Sequence, residues 1–191
     1  GAGAAFLDVD ADGLLDLYAG NYVDFTYDNH VTHTNQGFVE YAGPRDYQPV
    51  PDVLFHNNGD GTFSDVSAES GIATHAGSSM GLVACDFDSD GDTDMFVLND
   101  VSGNFLLVND GKVNSRISVL PFPPFFNMFG DELGSMGVDC GDYDNDGLLD
   151  FLMTSYHGEM PALYRNSGNG TFEDATLASG VGDGAYPYVN W

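Results

Sequence analysis

The sequence predicts an all-β fold made of β-propeller blades, each of four antiparallel strands, and three observations predict it. An acidic nine-residue pattern, Asp-x-Asp-x-Asp-Gly-x-x-Asp, occurs three times, at residues 8–16, 86–94 and 142–150. Every copy stands between two short apolar runs. A third apolar run then leads into a turn rich in Asn, Gly and Asp, and in two units apolar and polar residues alternate after it. Apolar runs of this length bounded by turns read as buried strands, and alternation reads as a half-exposed strand. Four such strands per unit, repeated along the chain, is the pattern of propeller blades.

The first strands are residues 3–7, 81–85 and 137–141, rich in small and apolar residues. The acidic loop joins each of them to a second strand, at 17–19, 95–98 and 151–153. Third strands follow at 53–56, 105–108 and 162–165 and run into the turns 57–61, 109–111 and 166–170. Asn, Asp and Gly tolerate the positive φ that tight hairpins need. Outer strands are expected at 62–66 and 171–175. The middle unit breaks the pattern: residues 112–119 lack the Gly-Thr-Phe that opens the other outer strands, and Pro121, Pro123 and Pro124 stand among the apolar residues of 120–126. Proline has no ladder donor, so a central strand is excluded there. The segment reads as an extended cover, with an apolar contact patch as the alternative.

Leu54 and Leu163, equivalent in the first and third units, are 109 residues apart, or about 55 per unit. The second and third loops are 56 residues apart and the first and second 78, so the first unit carries an insertion of about 22 residues within 24–51. It is rich in Tyr, His and Pro and has no apolar period. Long loops on a propeller lie at its rims, where partner surfaces are built. Blade 1 is expected at 1–75, blade 2 at 76–130 and blade 3 at 131–182, with 183–191 resembling the lead-in to a further blade.

Carboxylates on alternate residues point inward together only if the chain curls round a centre, and the glycine at position 6 supplies the turn that brings the next carbonyl to face it. Such an all-oxygen cage suits Ca²⁺, which accepts roughly 6 to 8 oxygen ligands in loose geometry, better than Mg²⁺ or zinc. The candidate ligands are Asp8, Asp10, Asp12 and Asp16; Asp86, Asp88, Asp90 and Asp94; and Asp142, Asp144, Asp146 and Asp150. The backbone carbonyls of Leu14, Asp92 and Leu148 complete the three sets. An EF-hand would need an acid at position 12, where Ala19, Val97 and Met153 stand. Glycine-rich nonapeptide spacing is absent, and so are the crowded cysteines of thrombospondin-type repeats. The alternative, solvated turns without metal, leaves packed like charges uncompensated.

With 30 acidic residues against 4 basic ones the formal charge is -26, which excludes a nucleic-acid partner. Thirteen of the acids lie in the three loops, so metal binding and folding are expected to be linked. No apolar run approaches the roughly 18 residues of a membrane helix, and residues 1–5 lack the marks of a signal peptide. Cys85 precedes its loop by one residue and Cys140 by two, so they stand on equivalent strands with opposite side-chain parity. Two buried thiols are expected rather than a disulfide. No catalytic residue is identified: the aspartates are committed to metal, and no nucleophile elbow or phosphate loop is present. His30 and His33, near Tyr27, Asp28 and Tyr41, are the remaining cluster with ligand potential and read as polar loop residues. His56, His75 and His157 read as local hydrogen bonders. Asn169-Gly170-Thr171 fits a glycosylation sequon, and its Gly-Thr is also the repeat's own turn.

The chain resembles the FG-GAP/VCBS repeat proteins, and within them the bacterial group related to cartilage acidic protein that carries ASPIC/UnbV-type regions. The resemblance rests on the three acidic loops, on Leu163-Tyr164-Arg165-Asn166 leading to Gly170-Thr171-Phe172, and on Met136-Gly137-Val138-Asp139. Asn21-Tyr22-Val23-Asp24-Phe25 and the stretch from Gly43-Pro44 to Pro51-Asp52 look like that group's first-blade insertion. A cysteine pair often closes the insertion there, and this chain has none between Asp24 and Pro51. The resemblance implies a calcium-stabilised propeller of roughly seven blades, like the integrin α head, on a secreted or cell-surface protein. It implies no reaction. The expected function is protein or glycan binding, adhesion or assembly, through the rim insertion 24–51 or the segment 120–129, with self-assembly of cut repeats as a further route. The alternative is a polysaccharide hydrolase or lyase, or its binding module.

Overall fold

The computed structural model of the chain describes residues 3–111, 117–121, 133–182 and 188. They contain three four-stranded antiparallel sheets, each a simple meander. The first holds β1 (Ala4–Leu7), β2 (Asp16–Ala19), β3 (Val53–Asn57) and β4 (Phe63–Asp65). The second holds β5 (Ser79–Cys85), β6 (Asp94–Asn99), β7 (Phe105–Val108) and β8 (Ser118–Pro121). The third holds β9 (Ser135–Gly141), β10 (Asp150–Ser155), β11 (Ala162–Gly168) and β12 (Thr171–Asp174). In every sheet the acidic loop links the first two strands, and the register sets its two ends opposite each other: Leu7 with Asp16, Cys85 with Asp94, Gly141 with Asp150.

The sheets stack face to face, and β6 shows how one strand serves two interfaces. It is buried along its whole length. Because side chains alternate across a strand, Met95 and Val97 enter a core with Leu7, Tyr18 and Leu54 of the first sheet. Phe96 and Leu98 enter another with Phe151, Met153 and Tyr164 of the third. Neither core joins the first sheet to the third, so the described residues form a stack and not a closed ring. The first strands β1, β5 and β9 are only partly buried, and the middle strands of the first sheet are buried on one face, so burial along a whole strand on both faces belongs to β6.

Neighbouring first strands approach closely at their glycines. A Cβ at Gly81 would lie 2.5 Å from the carbonyl oxygen of Met136, and one at Gly3 would lie 3.1 Å from that of Met80. Gly81→Ala must push β5 and β9 apart and is expected to cost about 1–3 kcal/mol. Gly141→Ala, where an added Cβ meets nothing within 4 Å, is the control. Urea unfolding of the two variants checks this, and equal midpoints would contradict it.

Two expectations are corrected. The middle sheet does have an outer strand: Ser118–Pro121 pairs antiparallel with β7, Phe105 opposite Pro121. It is an edge strand at the end of its sheet, where a missing amide donor costs no ladder bond. The apolar residues 122–130 that follow it, and the lead-in at 183–191 apart from residue 188, lie outside the described residues. The insertion, read from the sequence as a long loop without an apolar period, carries short strands. His33–Asn35 and Phe38–Glu40 form a two-stranded ribbon, turned at Gln36 and Gly37 with φ of 50° and 86°. Val50–Pro51 pairs with Ala76–Gly77, and a hydrogen bond from the Asp24 amide to the Gln48 carbonyl closes the base at 2.8 Å. Strands of two or three residues are too short for a hydrophobic period to register.

The connections leaving β4 and β12 are single helical turns, Ser67–Ser70 and Thr176–Ser179. They repeat one device. Asp65 accepts the Ser67 amide and Asp174 the Thr176 amide, while the Ser67 and Thr176 hydroxyls accept the buried amides of Leu54 and Leu163. No helix of the described residues is long and apolar enough to cross a membrane.

Candidate metal centres

The three acidic loops share one hydrogen-bond scaffold. The position-1 carboxylate accepts two amides across the turn: Asp8 from Asp12 and Gly13, Asp86 from Asp90 and Gly91, Asp142 from Asp146 and Gly147, at 3.0–3.2 Å. The position-5 carboxylate accepts the amide of position 7, so Leu14, Asp92 and Leu148 bond to Asp12, Asp90 and Asp146. Two residues per loop are left-handed: the expected glycine at φ 87–97°, and position 4, where Ala11, Ser89 and Asn145 have φ 57–63°. The scaffold curls the chain so that carboxylate oxygens converge.

Position 9 plays a different part. Asp16, Asp94 and Asp150 are at most 1% exposed. Each accepts the amide of its own loop's position 2 and the amide of the asparagine at or near the end of the third strand, Asn57, Asn109 or Asn166. Each therefore anchors its loop to the sheet.

Oxygens of Asp8, Asp10 and Asp12 lie within 4.8 Å of one another, as do those of Asp86, Asp88 and Asp90 and those of Asp142, Asp144 and Asp150. Asp10, Asp16 and His56 form a fourth such group. Oδ1 of Asp10 is buried without a hydrogen-bond partner. Three convergent carboxylates and an orphaned buried oxygen fit a hard cation with oxygen ligands. The Asp92 carboxylate stands apart from the cage and packs over Gly111, where a Cβ would lie 2.2 Å from Oδ1.

The residue before the third-strand asparagine differs in each unit, and in the first and third it reaches the loop. His56 Nδ1 stands 3.1 Å from Asp16 Oδ1 and 3.6 Å from Asp10 Oδ2. Arg165 pairs with Asp144 at 2.5 Å and with Asp146 at 2.7 Å. Val108 brings no charge to the middle loop. The expected role of His56 as a local hydrogen bonder thus has a definite partner in loop 1.

Charge crowding shows in the titration of the loops. Burial first, then the charges of Asp12 and Asp16, raise Asp10; burial and then Asp90 raise Asp88. Asp94 is pushed up to about 7, chiefly by burial, against the two amides it accepts. In the metal-free protein the folded state therefore holds a proton on Asp94, between the ordinary carboxylate value of 3.8 and about 7, that the unfolded chain has released. Stability from this group is present at low pH and is lost as pH rises through about 7. The lowered carboxylates, Asp46, Asp60 and Asp65, act below 3.8 and outside this window. Melting of chelator-treated protein is expected to rise on acidification from about pH 8 to about pH 5. A steady fall over that range would contradict it.

The asparagines that end the third strands read in the sequence as turn residues only. In the fold they are clasps. Asn109 Nδ2 donates to the Val9 carbonyl of the preceding sheet's loop at 3.0 Å and to Thr93 of its own loop at 3.3 Å. Asn166 Nδ2 donates likewise to Phe87 at 2.9 Å and to Leu149 at 3.1 Å. Asn57 has no sheet before it among the described residues, and its Nδ2 donates to its own loop, at the Leu15 carbonyl. The signal was available, since an asparagine stands at that place in all three units. The other histidine cluster forms no metal group among the described residues: His33 pairs with Asp46 at 2.9 Å, and His30 packs edge-on against Phe25.

A family model described as the FG-GAP-like repeat matches residues 8–97, 86–153 and 142–190. The chain belongs to the FG-GAP-like repeat family. The acidic loops fall inside all three matched stretches. No curated protein matches the chain significantly. Among solved structures, one described as the basis of specific recognition of non-reducing terminal N-acetylglucosamine by an Agrocybe aegerita lectin is similar, with 16% identity and a TM-score of 0.47. The match covers 90% of this chain and 36% of that one, so these FG-GAP-like repeats span about a third of its length.

Proposed function

We propose that the chain is a calcium-binding propeller module of a secreted or cell-surface protein, of the group related to cartilage acidic protein. It works by binding a protein or glycan, or by assembly, and not by catalysis. The observation that carries this is the threefold loop: one scaffold, built three times, gathers carboxylate oxygens that repel one another unless a cation joins them. The ligands are the aspartates at positions 1, 3, 5 and 9 with the carbonyls of Leu14, Asp92 and Leu148. Bound calcium supplies charge compensation and rigidity. It bears on the stack because the position-2 carbonyls of the first two loops, Val9 and Phe87, are held by the next sheet's asparagine.

The partner surface in this reading is the insertion. Tyr27, Phe38, Val39 and Tyr41 stand 75–100% exposed on it. Ring faces of this kind pack against proteins and sugars alike. The glycan alternative draws support from a cleft lined by Tyr22, Asp100, Tyr156 and Glu159. Its carboxylates are already engaged, Asp100 by the Tyr22 hydroxyl and Glu159 by the Gly134 amide, which favours holding a ligand over acid–base work.

Calorimetric titration of chelator-treated protein with calcium tests the proposal. Three sites are expected in the range of roughly 10⁻⁴ to 10⁻³ M, with a higher melting temperature when they fill. Asp144→Ala is expected to abolish one site and leave two, because repeat units behave as nearly independent modules. Heat and melting that ignore calcium would overturn the reading, and equal loss at all sites would overturn the independence.

A further inference from the structure

Cys85 ends β5 and Cys140 lies near the end of β9, the first strands of adjacent sheets. These strands run side by side, Gly81 facing the Met136 carbonyl so closely that a Cβ would lie 2.5 Å from it. Four residues on from each of these positions stand Cys85 and Cys140. Both side chains pack against the same core of Phe87, Phe96 and Phe151, between the two sheets. Both are free thiols and both are only partly buried.

Opposite parity, which in the sequence argues against pairing, is the condition for meeting in this architecture. Residues on one strand face alternately forward and backward along the stack. A forward side chain of one sheet meets a backward side chain of the next, so partners across an interface come from opposite parities.

We propose that Cys85 and Cys140 are a redox modification site that closes a reversible disulfide between the second and third sheets of the folded protein. The oxidant is a low-molecular-weight disulfide. One thiolate attacks it, forming a mixed disulfide and releasing one small thiol. The second cysteine then displaces the other small thiol. Two protein thiols and one small disulfide become one protein disulfide and two small thiols, so electrons and protons balance. The chain has 2 cysteines in all, so no other internal pairing competes. The bond would cross the interface at the end of the strands next to the acidic loops, tying loop 2 to loop 3. It would leave the fold intact in reducing surroundings and lock it in oxidising ones.

The test uses the whole chain, reduced and then exposed to oxidised glutathione in native buffer and, separately, in concentrated urea. Intact mass and peptide mapping are expected to show a loss of two hydrogens, no free thiol and a linked Cys85–Cys140 peptide pair. The bond is expected to form at least tenfold faster in native buffer than in urea. Thermal melting of the linked protein is expected to rise by roughly 5 °C or more, and the rise is reversed by a reducing agent. Thiols that end as glutathione adducts, that join separate chains, or that link only in urea would overturn the proposal.

Discussion

Asp150→Ala is expected to destabilise the protein by about 3–5 kcal/mol even without calcium, far more than Asp144→Ala in the same loop. Asp150 is 1% exposed and accepts two backbone amides, Tyr143 at 3.0 Å and Asn166 at 2.8 Å. Removing the carboxylate leaves a buried amide of β11 without an acceptor and unties the loop from the sheet. Hydrogen bonds to a charged acceptor are worth about 1.5–3 kcal/mol each, and an orphaned buried donor adds its desolvation cost. Asp144 has no such duty. It accepts only the exposed Asp146 amide at 3.2 Å and pairs with Arg165, and in the metal-free state its loss also relieves repulsion from its neighbours. Urea unfolding with and without chelator separates the two: Asp150→Ala is expected to lose stability in both conditions, Asp144→Ala only when calcium is present. Equal losses for both variants in chelator would contradict the division between anchor and cage.

This division marks the limit of what the residues disclose before folding. The nine-residue pattern is visible as text because alternate carboxylates and a fixed glycine have few physical explanations. The strands around it were legible for a similar reason, since residues 95–98 of β6 are an unbroken apolar run that can only be buried. What the text cannot display is which carboxylates face inward to the sheet. Asp16, Asp94 and Asp150 look like Asp8, Asp86 and Asp142 in sequence, yet the former open a strand and the latter begin a turn. The outer strand of the middle sheet was hidden by Pro121, because a rule about central strands says nothing of edges. The Cys85–Cys140 contact was hidden by a parity argument that holds within a sheet and reverses between stacked ones. The cysteine miss concerns a relation between units, which the residues of one unit do not encode.

Asn166→Ala is expected to cost about 2–4 kcal/mol, while Asn57→Ala, at the equivalent place in the first unit, is expected to cost about 1 kcal/mol or less. Asn166 is 1% exposed, and its amide group donates to Phe87 of the preceding sheet's loop and to Leu149 of its own. Its side-chain oxygen accepts the Gly168 amide at 2.9 Å. Alanine removes all three bonds and leaves two carbonyls at the interface between the second and third sheets without this donor. Asn57 makes the Leu15 and Gly59 bonds in a solvated setting and has no preceding sheet to clasp among the described residues. The difference between the two variants therefore isolates the contact between sheets from the local turn. It also carries a prediction for calcium. Phe87 follows the first ligand of loop 2, so loosening its carbonyl is expected to weaken calcium binding in loop 2, one sheet away from the substitution. Titration of Asn166→Ala is expected to show loop 2 weakened as well as loop 3. Weakening confined to loop 3 would mean that the clasp holds the sheets together without coupling their metal centres.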